Sequence, residues 1–258
     1  MTSTPLAVVT GASSGIGRAI AGCLAEEGYD LVLVARGADA LAVTAAELTV
    51  GETRRPDVVA VDLATADGVA TVESLIATRR PDLVVNSAGA GWRGAFAAQS
   101  SDGLDELLAL DVVALAQLSR AAFSVMIERG SGSLLNVSST ASFVPGPTVA
   151  AYHAAKAFVT SLTEALHVEA SGTDVQVTAL CPGITPTRFQ ARAGTEHGHL
   201  PGFLTTTADR VAREGLAALR RNDALCVPGT ANKAIAVLAK VAPRSLVRRA
   251  ARTFLARV

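Results

Sequence analysis

The chain has few aromatic residues, few cysteines and no net charge. Aromatic side chains make up 4% of the 258 residues and hydrophobic ones 50%, which predicts an aliphatic core of the kind that covers both faces of a parallel sheet. Basic and acidic residues number 23 each, so the overall charge gives no support for nucleic-acid binding. The three cysteines lack metal-ligand spacing and their odd number argues against a disulfide framework. We therefore expect free thiols in a reducing compartment and no metal site.

Long hydrophobic runs are also missing. No uninterrupted apolar run is long enough to span a bilayer, and the chain enters a predicted strand within a few residues of Met1, which leaves no room for a signal peptide. We therefore expect a cytoplasmic protein. The charge is unevenly distributed, because residues 224–258 contain seven basic residues and no acidic one.

A basic amphipathic helix is predicted from Pro243 onward, with apolar residues on one face and arginines on much of the rest. Such a helix can lie on an anionic membrane surface. It can also dock its apolar face on the core or on a partner subunit, and we favour docking.

A glycine-rich turn joins the first predicted strand to the first predicted helix. Gly11, Gly15 and Gly17 follow the apolar run 6–10 and precede an amphipathic run at 19–27. Glycine lets the backbone bend sharply and lets a phosphate approach the first helical N–H groups without meeting a Cβ. The turn therefore predicts a dinucleotide phosphate site formed by Gly11, Ser13, Ser14, Gly15, Ile16 and Gly17.

Strand and helix patterns alternate along most of the chain, without repeats or a linker. This order predicts an α/β fold with a single doubly wound parallel sheet, the Rossmann fold, and helices on both faces over residues 1–230. Residues 188–207 have no clear period and are interrupted by glycine and proline, so we predict a substrate lid there. Residues 231–258 form the predicted basic helical extension.

Tyr152 and Lys156 lie four residues apart on a predicted long helix and therefore share one face. An ammonium close to a tyrosine favours the phenolate, which makes proton exchange with an alcohol feasible. Ser139 follows a predicted buried strand, where its hydroxyl can bond a substrate oxygen and hold it against Tyr152.

These motifs resemble those of the classical short-chain dehydrogenase/reductase family over nearly the whole chain. The cofactor turn matches at residues 10–17, and Asn86-Ser87-Ala88-Gly89 is similar to the family's Asn-Asn-Ala-Gly element, with Ser87 in place of an asparagine. The segments 136–139, 152–156 and 182–187 match the remaining motifs in the family's order.

The resemblance implies roles for individual residues. Tyr152 is the acid/base, Ser139 orients and polarises the carbonyl, and Lys156 lowers the pKa of the tyrosine and binds the nicotinamide ribose. The other implied cofactor contacts are Asp62, Leu63, Asn86, Ala88, Gly89, Pro182, Gly183, Ile184 and Thr187. A homodimer or homotetramer, formed through the two long helices, is expected by the same analogy.

Asp111 departs from the family pattern, which has a catalytic asparagine at this position. In the family this residue helps to hold a water in a proton relay from the lysine. An ionised carboxylate accepts hydrogen bonds but does not donate them, so we expect weakened rather than abolished catalysis.

The cofactor preference is predicted from the end of the second strand. NAD-preferring enzymes place an acid there to bond the ribose 2′-hydroxyl, whereas this chain has Ala35 followed by Arg36. An arginine can pair with a 2′-phosphate, and this Ala-Arg pair resembles the NADP-preferring members of the family. We therefore predict NADP(H), with NAD(H) as the second choice.

The predicted substrate is a small hydrophobic ketone, aldehyde or secondary alcohol, of steroid-like or acyl type, because Trp92, Phe143, Val144 and apolar residues of the lid can line a pocket. Two alternatives are a non-catalytic NADP-binding regulatory protein on the same fold, suggested by Asp111, and a scaffold that binds membranes through the basic tail. The intact Ser139, Tyr152 and Lys156 argue against both.

Overall fold

The computed structural model describes residues 4–49, 55–187 and 205–255. Within them, one parallel sheet has the strand order β3-β2-β1-β4-β5-β6-β7. The strands are β1 Leu6–Thr10, β2 Asp30–Ala35, β3 Asp57–Ala60, β4 Leu83–Asn86, β5 Ser131–Val137, β6 Asp174–Leu180 and β7 Leu225–Cys226. The predicted doubly wound parallel sheet is confirmed.

Helices cover the sheet on both sides. They are α1 Gly15–Glu26, α2 Ala38–Glu47, α3 Ala66–Arg79, α4 Ser101–Leu108, α5 Leu115–Arg129, α6 Ala150–Glu169, α7 Ala208–Arg220, α8 Thr230–Val241 and α9 Arg244–Leu255. Short 3₁₀ turns lie at Phe96–Ala98 and Thr140–Phe143. The long helix predicted near residues 103–128 is divided by a π-helical turn, Ala109–Ala114, which joins α4 to α5 and contains Asp111.

Two aliphatic cores form because successive side chains of a strand point to opposite faces of the sheet. In β1, Ala7 and Val9 pack in the core that contains Leu24 of α1 and Leu216 of α7. Val8 packs in the opposite core, which contains helices α3 and α5. Burial on both faces explains why the strands are continuously apolar.

The helical stretch 101–129 is long and apolar enough, by length and composition alone, to cross a membrane. The sequence analysis did not predict this, because the stretch contains no uninterrupted apolar run of that length. In the structure Leu107, Leu115, Leu118 and Met126 of this stretch are buried. Packing in the core therefore accounts for part of its hydropathy, since 44% of its most apolar window is buried.

Buried polar side chains attach α6 to the neighbouring strands. Asn136 of β5 accepts a hydrogen bond from the Asn86 amide of β4 at 2.9 Å and donates one to Thr163 of α6 at 3.0 Å. Ser138, next after β5, donates to the carbonyl of Lys156 at 2.8 Å. These bonds fix α6 along and around its axis, so Tyr152 and Lys156 have one position relative to the end of β5.

The C-terminal helices lie beside the edge of the sheet at β7. Ala236 and Ala239 of α8 are buried in a small cluster with Phe143, Ala179 and Cys181. Val247 and Ala251 of α9 are buried as well, so α9 docks part of its apolar face. The domain boundary near residue 230 stays a prediction.

Candidate active site

The glycine-rich turn leads directly into the N-terminus of α1, at the point where the strand order reverses between β1 and β4. Gly11 and Gly15 have φ values of 67° and 58°, which are strained for residues with a side chain. A Cβ on Gly17 would lie 2.5 Å from the carbonyl oxygen of Gly11, so the turn can close only with glycine there. In the described part of the chain the Ser14 side chain makes no capping hydrogen bond to α1, so it does not satisfy the first N–H groups of the helix.

The turn is held against the loop that follows β4. Thr10 accepts hydrogen bonds from the backbone N–H of Ser87 at 3.0 Å and of Ala88 at 3.1 Å. A Cβ on Gly11 would lie 2.7 Å from the carbonyl oxygen of Ser87. The segment 86–89 therefore forms one wall of the crevice, beside the glycines.

Ser139, Tyr152 and Lys156 meet at the carboxyl end of β5. Ser139 lies directly after this strand and its hydroxyl accepts a hydrogen bond from the Ala141 N–H at 3.1 Å. The Lys156 Nζ lies 5.7 Å from the centroid of the Tyr152 ring and donates to the carbonyl of Val137 at 3.3 Å. The structure thus brings together the three residues that the sequence analysis assigned to catalysis.

Asp111 lies against Lys156 and is fully buried. Its Oδ2 is 3.2 Å from the Lys156 Nζ, and its Oδ1 accepts a hydrogen bond from the Ala90 N–H at 2.6 Å. Gly89 leaves room for this pair, because a Cβ there would lie 3.2 Å from Asp111 and 3.3 Å from Lys156. The sequence analysis placed Asp111 near a water relay, whereas the structure shows a direct ion pair with the lysine.

Burial and charge act together on these groups. Burial raises the pKa of Asp111, and the ammonium of Lys156 opposes this rise. Burial lowers the pKa of Lys156, but the negative charges of Asp111 and Tyr152 more than offset this, so the pKa is raised overall. The pKa of Tyr152 is raised overall, and burial is the largest cause. The charge of Asp111 also raises it, whereas the charge of Lys156 and a hydrogen bond with Ser139 lower it.

Arg36 follows β2 at the opposite end of the crevice and is paired with acids. Its Nη1 lies 3.0 Å from Glu106 Oε1 and 3.5 Å from Asp62 Oδ2. Arg18, close to the turn, pairs with Glu47 of α2. The positive charge of Arg36 and Arg18 is evident from the sequence, but these ion pairs were not predicted. Glu106 comes from α4, seventy positions away, and no local pattern indicates it.

The segment after β6 closes the crevice from the other side. A Cβ on Gly15 would lie 3.2 Å from Thr187, so Thr187 lies beside the glycine-rich turn, and its contact with a cofactor stays a prediction. Pro182 accepts a hydrogen bond from the Thr140 N–H at 2.9 Å. The carbonyl of Ile184 accepts one from the Thr206 N–H at 2.9 Å, and Gly183 lies against the buried side chain of Asn232.

Several predicted residues have positions that differ from the simplest expectation. The Asn86 side chain is buried in the polar network between the strands, so only its backbone is available to a cofactor. Leu63 is buried in an aliphatic core, so its backbone is likewise the only part available to a cofactor. Phe143 packs beneath the site with Ala179 and Cys181 instead of lining a pocket. Most of the predicted lid, residues 188–204, lies outside the described residues.

A dinucleotide fits this crevice. The uncapped N-terminus of α1 provides N–H donors for a pyrophosphate, and the glycines leave the space that it needs. Tyr152 and Lys156 are at the end of the crevice where a nicotinamide would lie, and Arg36 is at the end where an adenosine would lie. Among the described residues, no group of three or more His, Cys, Asp and Glu could hold a metal ion.

Comparisons with known proteins agree with this geometry. The model of the short-chain dehydrogenase family matches residues 5–198. The probable oxidoreductase EphD of Mycobacterium tuberculosis is 33% identical over 201 residues, which cover 76% of this chain and 33% of that protein. An uncharacterized oxidoreductase of Staphylococcus aureus is 34% identical over 191 residues, which cover 72% of this chain and 80% of that protein. The chain thus spans about a third of the length of EphD.

Two solved structures share the fold over most of the chain. A short-chain dehydrogenase from Sphingobium yanoikuyae in complex with NADPH is 31% identical with a TM-score of 0.83, covering 90% of this chain and 91% of that one. The bulky-bulky ketone specific alcohol dehydrogenase from Comamonas testosteroni is 28% identical with a TM-score of 0.79, covering 95% of this chain and 97% of that one.

Replacing Gly17 by alanine tests the crevice. The new Cβ would meet the carbonyl oxygens of Gly11 at 2.5 Å and Thr10 at 3.1 Å, so the turn must move away from the phosphate position. We expect Gly17→Ala to lower the affinity for NADPH by about tenfold or more, measured by isothermal titration calorimetry. Gly22→Ala on the same helix is the matched control, because its Cβ would lie 3.8 Å from Leu48. Equal affinities of the two variants would contradict the assignment.

Proposed function

Because the chain belongs to the short-chain dehydrogenase family, we propose that it is an NADP(H)-dependent oxidoreductase that interconverts a hydrophobic ketone or aldehyde and its alcohol. The observation that carries this proposal is the meeting of Ser139, Tyr152 and Lys156 at the carboxyl end of β5, next to a crevice that fits a dinucleotide. A protein that only binds a nucleotide has no use for a hydroxyl and a phenol at this place.

Each of the three residues has its own role in the proposed reaction. Ser139 donates a hydrogen bond to the substrate oxygen and holds it beside the hydroxyl of Tyr152. During reduction Tyr152 gives its proton to that oxygen, and during oxidation it takes the proton back. Lys156 keeps a positive charge beside the phenol, which stabilises the phenolate left after proton transfer. When bound, NADPH supplies the hydride that reaches the carbonyl carbon.

A bulky apolar carbonyl is the proposed substrate class. Trp92, half-buried after β4, is available to line the substrate side of the site, and the partly buried Val144 lies beside Phe143. The alcohol dehydrogenase from Comamonas testosteroni, to which this chain is similar, is specific for bulky-bulky ketones. This likeness supports testing ketones with a large group on each side of the carbonyl first.

A non-catalytic regulatory protein that binds NADP remains the second candidate. The ion pair between Asp111 and Lys156 favours it, because the ammonium is partly neutralised by a charge that the family's asparagine does not carry. The same pair is compatible with an enzyme of altered pH dependence.

Turnover with Tyr152→Phe as the control decides between these two functions. We expect purified protein to consume NADPH in the presence of bulky ketones, and Tyr152→Phe to lower kcat/KM by about a thousandfold because the proton donor is lost. NADPH affinity should change little, since the phenol hydroxyl is the only group removed. Tight NADPH binding by both proteins without turnover of any ketone, aldehyde or alcohol would favour the regulatory function.

Arg36 is the proposed contact of the 2′-phosphate, and Glu106 competes for it. Arg36→Ala should lower the affinity for NADPH by about tenfold and leave the affinity for NADH unchanged, since NADH lacks the phosphate. Glu106→Gln releases Arg36 from its partner at 3.0 Å, so NADPH affinity should rise about two- to fivefold.

Both affinities are measured by calorimetry. Glu128→Gln, which breaks the exposed pair with Arg80, is the matched control for Glu106→Gln. If NADPH and NADH lose affinity equally in Arg36→Ala, Arg36 does not select the phosphate.

A homodimer or homotetramer stays a prediction from the family resemblance. The long helices expose Val113, Ile127, Phe158 and Val168, with exposed fractions between 37% and 68%. Side chains of this kind on the predicted contact helices support an assembly that covers them. Cytoplasmic location also stays a prediction.

α9 docks part of its apolar face, as favoured above, and we further propose that α8 and the exposed side chains of α9 contact an anionic membrane surface. Val237, Leu238, Val241 and Leu246 are between 54% and 74% exposed, and the first three are spaced to share one face of α8. Residues 224–258 contain no acid, and within the described residues their one ion pair is Lys240 with Glu164. Exposed aliphatic side chains among unpaired cations complement a layer of anionic lipids.

Vesicle co-sedimentation tests this surface. The full chain should sediment with vesicles that contain phosphatidylserine and not with pure phosphatidylcholine vesicles, and Val241→Glu should abolish sedimentation. Val43→Glu is the matched control, because Val43 is 57% exposed but lies on α2. No sedimentation of the wild type, combined with a smaller oligomer for Val241→Glu in light scattering, would show that a second copy covers this surface instead.

A further inference from the structure

The direct ion pair between Asp111 and Lys156 has a consequence for the direction of the reaction. Lys156 is the one cation described beside Tyr152, and its Nζ lies 3.2 Å from an oxygen of Asp111. The positive charge that favours the phenolate is therefore shared with a carboxylate. An asparagine at the same position would leave that charge undivided.

Two contacts of Asp111 favour its carboxylate form and oppose the effect of burial, which raises its pKa. Its Oδ2 faces the ammonium of Lys156, and its Oδ1 accepts the Ala90 N–H at 2.6 Å, which is the short distance of a charge-assisted hydrogen bond. Both contacts favour the ionised form over the acid. The π-helical turn Ala109–Ala114 points the side chain inward, and Gly89 leaves the space that it occupies.

The groups that face Tyr152 come from four elements. Lys156 lies on α6 itself, Asp111 on the π-helical turn, Ser139 after β5 and Cys181 after β6. Cys181 is a neutral thiol, because burial raises its pKa. Among the described residues, the charges near the phenol are thus one ammonium and one carboxylate, which act on it in opposite senses.

We propose that Asp111, paired with Lys156, weakens the pull of the lysine on the Tyr152 proton, so that the buried tyrosine stays a proton donor at neutral pH and the site is suited to carbonyl reduction rather than alcohol oxidation. This rests on the proposed function for the reaction, but the protonation of Tyr152 is a property of the protein without cofactor. In reduction the carbonyl carbon accepts a hydride from NADPH and the carbonyl oxygen accepts the Tyr152 proton. The phenolate that remains recovers a proton from water. Oxidation needs the phenolate at the start and is therefore slow until the pH is high.

The sign of the pH dependence follows from the charge. With Lys156 still charged, removing the carboxylate removes a negative charge near Tyr152, so the phenolate is stabilised and the pKa of Tyr152 falls. Asp111→Asn keeps the size of the side chain and an oxygen for the Ala90 N–H. Asparagine also occupies this position in the family, so the variant is expected to fold.

Titration of the tyrosines measures the pKa of Tyr152 directly, because the chain has only two tyrosines. In a Tyr29→Phe background the ultraviolet absorbance of the phenolate reports Tyr152 alone. We expect Asp111→Asn to form phenolate at a pH lower by about one unit or more than the Tyr29→Phe parent. Circular dichroism at each pH confirms that both proteins are still folded.

Three further measurements complete the experiment. Asp111→Glu restores the carboxylate and should titrate close to the parent, which a purely structural role would not predict. Asp57→Asn removes an exposed carboxylate and should not shift the titration. With an active substrate pair, the acid limb of the pH profile for alcohol oxidation should move to lower pH in Asp111→Asn, in the same direction as the phenolate.

An unchanged titration in Asp111→Asn would overturn the proposal, because the carboxylate would then have no effect on Tyr152. Failure of the proposed function has a different signature: no carbonyl compound is turned over by any variant, while the titration still shifts.

Discussion

The site depends on the attachment of α6 to the end of β5. Hydrogen bonds from Asn136 to Thr163 and from Ser138 to the Lys156 carbonyl hold the helix in one register against the strand. A helix shifted by one residue would leave several buried polar groups without hydrogen-bond partners. Each such group lowers the stability of the folded protein. This constraint allows Ser139 on a strand and Tyr152 on a helix to meet at one point.

Electrostatic pairing modifies a site whose framework is common to the family. Arg36 and Arg18, both near the adenosine end of the crevice, are paired with Glu106 and Glu47. Lys156, at the nicotinamide end, is paired with Asp111. A cofactor that enters the crevice must therefore compete with carboxylates of the protein. The exposed pairs at the adenosine end are weak and screened by solvent, whereas the buried pair at Lys156 is not.

The apolar surfaces of the molecule fall into two classes. The stretch 101–129 contacts β5, α3 and α6, and its buried side chains account for part of its hydropathy. The face of α8 with Val237, Leu238 and Val241 is apolar and exposed. Sequence hydropathy does not separate these cases, because it does not record what lies opposite a side chain.

The sequence by itself predicted the parallel sheet, the glycine-rich turn and the grouping of Ser139, Tyr152 and Lys156 at one site. Periodicity, glycine placement and the four-residue spacing on a helix are local properties, and these can be predicted from neighbouring residues. Only the tertiary structure decided that Asp111 pairs with Lys156, that Glu106 reaches Arg36, and that Phe143 lies beneath the site. Those contacts join residues tens of positions apart, and the packing of helices on the sheet sets their distances. For residues 188–204 the lid stays a prediction, because that segment lies outside the described residues.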